Sequence, residues 1–275
     1  MSDSPSHWVP LNADTHAQLA VRHARDYRFA AERQRVPISA SELARAAQLA
    51  PIAFVADNAQ WSAALLLGLD ARQNLFVDPA SGRWLADYIP ADLRAHPFSL
   101  RAAKAEQATL YVLEADPHLV DARTTDPQQA ARLFDDQGQP TAALTSLLDF
   151  FKAQYGSKQQ LQRQLAALDE RGLLVPWELR VERVGQAPAV RLTGLHKVDE
   201  ATVNALDDSA YLELRALGVL PLLHAHWLSL GLVRRLRQLD LLRTTPDPST
   251  APALEPFLEN DDSGLIFDFG DTPKH

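Results

Sequence analysis

The sequence predicts an α+β fold: one compact domain with a strand-rich first half and a helix-rich second half, followed by an acidic C-terminal tail. Three observations carry this. Short apolar runs closed by Gly, Pro or Asp dominate up to about residue 114. Apolar residues at three- and four-residue spacings dominate after residue 141. Strands and helices also fail to alternate regularly, as a doubly wound parallel sheet would require. The sequence places the domain at residues 1–242 and the linker and tail at 243–275.

Taken in order, Ser39 or Ser41 is positioned to cap a helix through Leu49, with Glu42 in the supporting place and Pro51 as the stop. The runs 51–56 and 61–69 read as buried strands, and 75–77 with Trp84 as a hairpin around the turn at 78–82. Residues 109–114 form the next expected strand. From 141 to 168, Leu144, Leu147, Leu148, Phe151, Tyr155, Leu161, Leu165 and Leu168 fall on one face, giving one long amphipathic helix or two broken near Gly156. Trp177, Leu179 and Val181 alternate with Glu178, Arg180 and Glu182, the period of a half-buried strand, and 189–192 is its expected partner across a turn at Gly185. Helices over 200–206 and 214–239 complete the folded part.

Composition excludes several kinds of chemistry. The 275 residues include no cysteine, so there is no disulfide framework, thiolate zinc site, iron–sulfur cluster or cysteine nucleophile. The net charge of −8 is concentrated at one end: Asp240 to His275 holds eight acids and two bases, which leaves 27 acids and 25 bases before it. A near-neutral domain lacks the basic face of a nucleic-acid binder, so no nucleic-acid partner is expected. The N-terminus has no basic, apolar leader, and a cytoplasmic location is expected. The uncharged stretch 216–233 contains Pro221, His224, His226, Ser229 and two glycines and is too short and too polar for a membrane span.

Residues 244–252 carry three prolines and read as a linker. Beyond them acidic residues interleave with Phe257, Leu258, Ile266, Phe267 and Phe269. That much apolar surface is expected to dock across a groove of its own or a neighbouring domain, with Phe267 and Phe269 on one side of an extended strand.

Several spaced phrases together resemble one family. They are Trp8-Val9-Pro10-Leu11-Asn12 with His16; Val36-Pro37 with Glu42; Pro51-Ile52-Ala53-Phe54; Asn74-Leu75-Phe76-Val77-Asp78; Gly82-Arg83-Trp84; and Tyr88-Ile89-Pro90-Ala91-Asp92-Leu93-Arg94-Ala95-His96-Pro97-Phe98. Leu133-Phe134-Asp135-Asp136, Leu192-Thr193-Gly194-Leu195 and His226-Trp227-Leu228-Ser229-Leu230 follow. Over about residues 8–240 the chain resembles the SapC family of bacterial proteins. The family takes its name from surface-layer systems, and its members are often found with TonB-dependent receptors, tryptophan-halogenase-like flavoproteins and cupin-like proteins. The resemblance implies that context and no reaction, cofactor or catalytic residue set.

The densest part of the resemblance gathers Asn74, Trp84, Tyr88, Arg94, His96 and Phe98 within twenty-five residues. An aromatic wall with one guanidinium suits a carboxylate or an aromatic ligand, and Trp, Tyr and Arg dominate interface hot spots. The plainer reading makes Asn74 a turn residue, Trp84 and Phe98 core, and Arg94 locally paired. The nine histidines show no metal-ligand spacing, so neither a metal nor a cofactor is expected. The leading functional reading is therefore a non-catalytic binding or accessory protein in an uptake or surface-layer-related pathway, taking a protein partner or a small amino-acid- or peptide-like ligand. The alternative is an enzyme or enzyme subunit acting on an amino acid, peptide or protein side chain, with His16, Arg94 or His226 near the chemistry. A deep polar pocket joining two of those three favours the enzyme, and a shallow aromatic patch favours recognition.

Overall fold

The structure, a computed structural model, describes residues 7–23, 26–57, 60–102, 108–183 and 189–244. The chain opens with β1 (Trp8–Pro10), α1 (Ala13–His16) and β2 (Leu19–Arg22), then a 3-10 turn at Arg28–Ala30 and β3 (Arg35–Pro37). A second 3-10 turn, Ala40–Glu42, runs into α2 (Leu43–Leu49), followed by β4 (Ile52–Asp57), β5 (Gln60–Leu66), α3 (Ala91–Arg94), β6 (Phe98–Ala102), β7 (Ala108–Leu113), β8 (Leu119–Asp121) and β9 (Ala130–Arg132). The long α4 (Ala142–Glu170) leads to β10 (Leu174–Pro176), β11 (Leu179–Val181), β12 (Val190–Leu192) and β13 (His196–Val198). Four helices close the described chain: α5 (Glu200–Asn204), α6 (Asp208–Ala216), α7 (Leu220–Leu230) and α8 (Val233–Thr244). The mixture of helices and separate antiparallel sheets is the α+β class read from the sequence.

Two apolar cores organise these elements. The larger lies on the five-stranded sheet β10-β13-β4-β5-β3, against which α7 and the C-terminal half of α4 pack, with α2 laid on α7. The smaller is enclosed by the sheets β1-β7-β6 and β8-β2-β9 and by the N-terminal half of α4. Leu144 and Phe151 of α4 belong to the smaller core, and Leu161, Leu165 and Leu168 to the larger. One helix of 29 residues, about 43 Å long, therefore spans both.

The sequence expectations fare unevenly. Ser39 and Glu42 form a reciprocal capping box ahead of α2, and β4, β5, β7 and the β11–β12 pair, in register Leu179 with Leu192, fall where expected. Gly156 does not break α4, since it faces open space and costs a helix only about 1 kcal/mol. The single helix expected over 214–239 is three pieces. Gly218, at φ +70°, ends α6, Pro221 opens α7, and a short turn at Gly231 precedes α8. The run 61–69 leaves the sheet after Leu66, and Gly68 then lets the chain pass close to the Gln73 carbonyl, where a side chain would collide. The expected 75–84 hairpin is reduced to one bridge, Val77 with Trp84. Among the described residues no helix is long and apolar enough to cross a membrane.

Candidate functional site

The site is assembled around a buried carboxylate. Glu42 accepts hydrogen bonds from the Ser39 amide (2.9 Å), Ser39 Oγ (2.8 Å), Tyr88 Oη (2.6 Å) and the Ala91 amide (2.7 Å). These contacts tie the start of α2 to the start of α3. Burial, then the hydrogen bond and charge of Glu42, push the Tyr88 phenol well above its ordinary range, so Tyr88 stays a donor.

With α3 anchored, the chain from Ala91 to Leu100 forms one wall of a half-open cleft of about 260 Å³. Trp8, Phe98, Phe150, Phe151 and Tyr155 supply aromatic lining, Gln154 and His96 supply polar groups, and Arg33, Lys158 and Asp92 supply charge. Arg33 is paired with Asp92 at 3.0 Å, which leaves Lys158 as the surplus charge of the lining, with histidine counted neutral. Arg94 stands outside the cleft, exposed; it donates to the Ile89 carbonyl, and its guanidinium lies 5.4 Å over the Phe150 ring. That stack reaches the far side of a cleft wall.

His96 leads from this cleft into a buried cluster. Its Nε2 lies 2.6 Å from Asp116 Oδ2, and His118 Nδ1 lies 2.7 Å from Asp116 Oδ1. His118 Nε2 is 2.9 Å from the Asp26 carbonyl oxygen. Phe29 stacks on the His96 ring, with centroids 3.6 Å apart, and meets the His118 ring edge-on. Burial acts to raise the Asp116 pKa, but the contacts with His118 and His96 outweigh it and hold the carboxyl well below the usual carboxylate range. The three donor atoms lie within 4.8 Å of one another, so these residues could hold a metal ion.

The other two histidines singled out in the sequence have local duties. His226 sits in the larger core with Nδ1 donating to the Ile52 carbonyl (3.0 Å) and Nε2 accepting from the Val198 amide (3.1 Å). Burial lowers its pKa to about 4, so the ring is neutral. Ser229 Oγ donates to the His226 backbone carbonyl and accepts from the Ile52 amide, and so meets no imidazole nitrogen. His16 closes α1, its Nδ1 accepting from the Asn12 amide (3.2 Å).

Of the expected binding residues, His96 and Phe98 line the cleft, Tyr88 and Arg94 support its walls, and Asn74 and Trp84 lie elsewhere. Asn74 is fully buried, donating to the Ala30 carbonyl and accepting from the Phe76 amide; Trp84 donates to the Tyr88 carbonyl from within the larger core. Neither His16 nor His226 lines the cleft, and the structure does not join them to Arg94. Phe257, Ile266, Phe267 and Phe269 lie outside the described residues. Sequence reasoning missed Asp116 and His118, although an acid and an imidazole flanking Pro117 at i and i+2 is a visible pairing of donor types. It also missed the α4 side of the cleft, Phe150 and Gln154, because long-range partners of a helix face leave no local sign.

A family model for SapC matches residues 11–236. No curated protein and no solved structure gives a match.

Proposed function

Because the chain belongs to the SapC family, we propose that it is a non-catalytic binding or accessory protein of a bacterial uptake or surface-layer-related pathway, working through the cleft between β6, α3 and α4. One observation carries the reading: the cleft is walled by aromatic rings, carries a surplus cation and includes none of the three groups, His16, Arg94 and His226, on which an enzyme reading was built. Aromatic walls around one uncompensated ammonium suit a planar or apolar body bearing a carboxylate. The volume fits a single aromatic side chain or an amino-acid-sized molecule better than a long polymer. The ligand class is thus an aromatic carboxylate or a peptide end with an aromatic residue, free or presented by a protein partner.

Thermal-shift and calorimetric titrations with aromatic amino acids, their N-acyl derivatives and short peptides ending in an aromatic residue test this. A saturable rise in melting temperature with a member of this panel is expected, abolished by Lys158→Ala and weakened by Tyr155→Ala. Conversion of the bound probe to a product would transfer the site to the enzyme reading. Binding unaffected by both substitutions would remove it from the cleft.

A further inference from the structure

The His96–Asp116–His118 cluster gathers two imidazoles on one buried carboxylate. His118 Nδ1 lies 2.7 Å from Asp116 Oδ1, and its Nε2 lies 2.9 Å from the Asp26 carbonyl oxygen and 3.2 Å from the Asp26 amide. A neutral imidazole donates from one nitrogen only, and either tautomer of His118 finds partners here. With the proton on Nε2, facing the carbonyl, Nδ1 turns a lone pair toward the carboxylate, an arrangement that a cation between them completes.

We propose that His96 Nε2, His118 Nδ1 and the Asp116 carboxylate bind a divalent transition-metal ion, with zinc as the natural occupant. Four features of the cluster argue for the metal. The donors are two imidazole nitrogens and one carboxylate, the mixed set that suits zinc and leaves a position for water. All three side chains are more than nine-tenths buried, so the ion would be shielded from competing water. The outer nitrogen of His118 already rests on a backbone carbonyl, the support that fixes the tautomer of a metal-binding imidazole. Phe29 fixes the His96 ring by stacking and excludes solvent from that side.

The geometry asks for little movement. Ligand atoms around a tetrahedral zinc with bonds of about 2.0–2.1 Å stand roughly 3.4 Å apart. The present separations of 2.6 and 2.7 Å need to open by about 0.7 Å, while the two imidazole nitrogens, no more than 4.8 Å apart, close on the ion by ring rotation. His96 also lines the cleft, which gives an ion a route in. The proposal does not depend on what occupies the cleft.

Tag-free full-length chain, stripped with a chelator, loaded with ZnCl2 and dialysed, tests it. It is expected to retain about one Zn2+ per chain and to melt above the stripped form. Asp116→Asn, which keeps size and a hydrogen-bonding oxygen, and His118→Ala are each expected to weaken zinc binding about 100-fold or more. Wild type that retains well under one ion overturns the proposal and leaves a hydrogen-bonded trio. Unchanged binding in both variants overturns it too, by placing the metal elsewhere. Should neither variant fold, X-ray absorption of the loaded wild type decides: two imidazoles and an oxygen beside the zinc support the assignment, and their absence refutes it.

Discussion

His226 and the His96–His118 pair are both buried, His226 in the larger core and the pair beside the strands of the smaller one, and they have different partners. His226 meets one carbonyl and one amide, so a single neutral tautomer satisfies both, and burial then drives its pKa down to about 4. His96 and His118 flank a carboxylate instead, and a charge is built into their environment. In the larger core histidine is a staple, fastening α7 to β4 and β13. In the smaller core it surrounds a charge and opens onto the cleft. A buried histidine thus tells little by its burial; the hydrogen-bonding type of its partners decides what it can do.

The comparison breaks first at Glu42. This is a buried carboxylate on the larger core, like Asp116 in the smaller, but its partners are two amides and two hydroxyls rather than imidazoles. Glu42→Ala leaves those donors without an acceptor, at a cost of about 3 kcal/mol or more. Urea denaturation measures it, with Glu42→Gln expected to lose less because an amide oxygen still accepts. A loss under about 1 kcal/mol for the alanine variant would mean that water replaces the carboxylate and that neutral donors do not hold the charge as argued.

His226 sharpens the same contrast through pH. Its native pKa lies below the ordinary 6.5, so the unfolded chain takes up the proton first. The stabilisation is complete above pH 6.5 and erodes as pH falls toward about 4. The full span is worth about 3 kcal/mol. His226→Leu is expected to cost about 2 kcal/mol at neutral pH, by orphaning the Ile52 carbonyl and the Val198 amide, and to flatten the acid limb. Denaturation curves at stepped pH check both. An acid limb unchanged in the variant would assign the titration to another group.

The same two regions show what the sequence makes legible. The capping box at Ser39–Glu42 and the alternation at 177–182 are local patterns; the chain forms the box where it lies and a strand over the middle of the alternation, Leu179–Val181, with Trp177 left outside it. The α4 stripe was legible as a helix but not as a bridge between two cores, since which stretch faces which core depends on the sheets it meets. Strands β1, β2, β8 and β9 are three or four residues long, too short for periodicity to register. His96 was read among the aromatic patch from its neighbours, whereas Asp116 reaches it from twenty residues downstream through a turn between β7 and β8. The Glu42–Tyr88 and Glu42–Ala91 contacts are more remote still, which is why Tyr88 was expected as a binding residue and is found bracing the wall.

The smallest expected effect on folding, and the most direct check on the cleft, is Arg94→Ala. Arg94 is exposed; it donates to the Ile89 carbonyl at 3.1 Å and interacts with the Tyr88 hydroxyl, contacts that water can replace at an exposed site. Its stack on Phe150 is worth about 0.5–1 kcal/mol at an exposed site, so the variant should unfold at nearly the wild-type denaturant midpoint. Binding should respond more. Phe150 is a cleft wall, and without the guanidinium behind it the ring gains rotameric freedom that a ligand must pay to remove, while a cation near the rim is lost. Affinity for the panel member that binds is expected to fall about fivefold, equivalent to about 1 kcal/mol. Arg94→Lys separates the two causes: lysine keeps the charge without the planar stack, so recovery of affinity assigns the effect to charge and persistence of the loss assigns it to the positioning of Phe150. If Arg94→Ala melts far below wild type while its folded fraction binds normally, Arg94 is a structural brace between α3 and α4, and the larger contrast between a stapled core and a recognising one loses its boundary there.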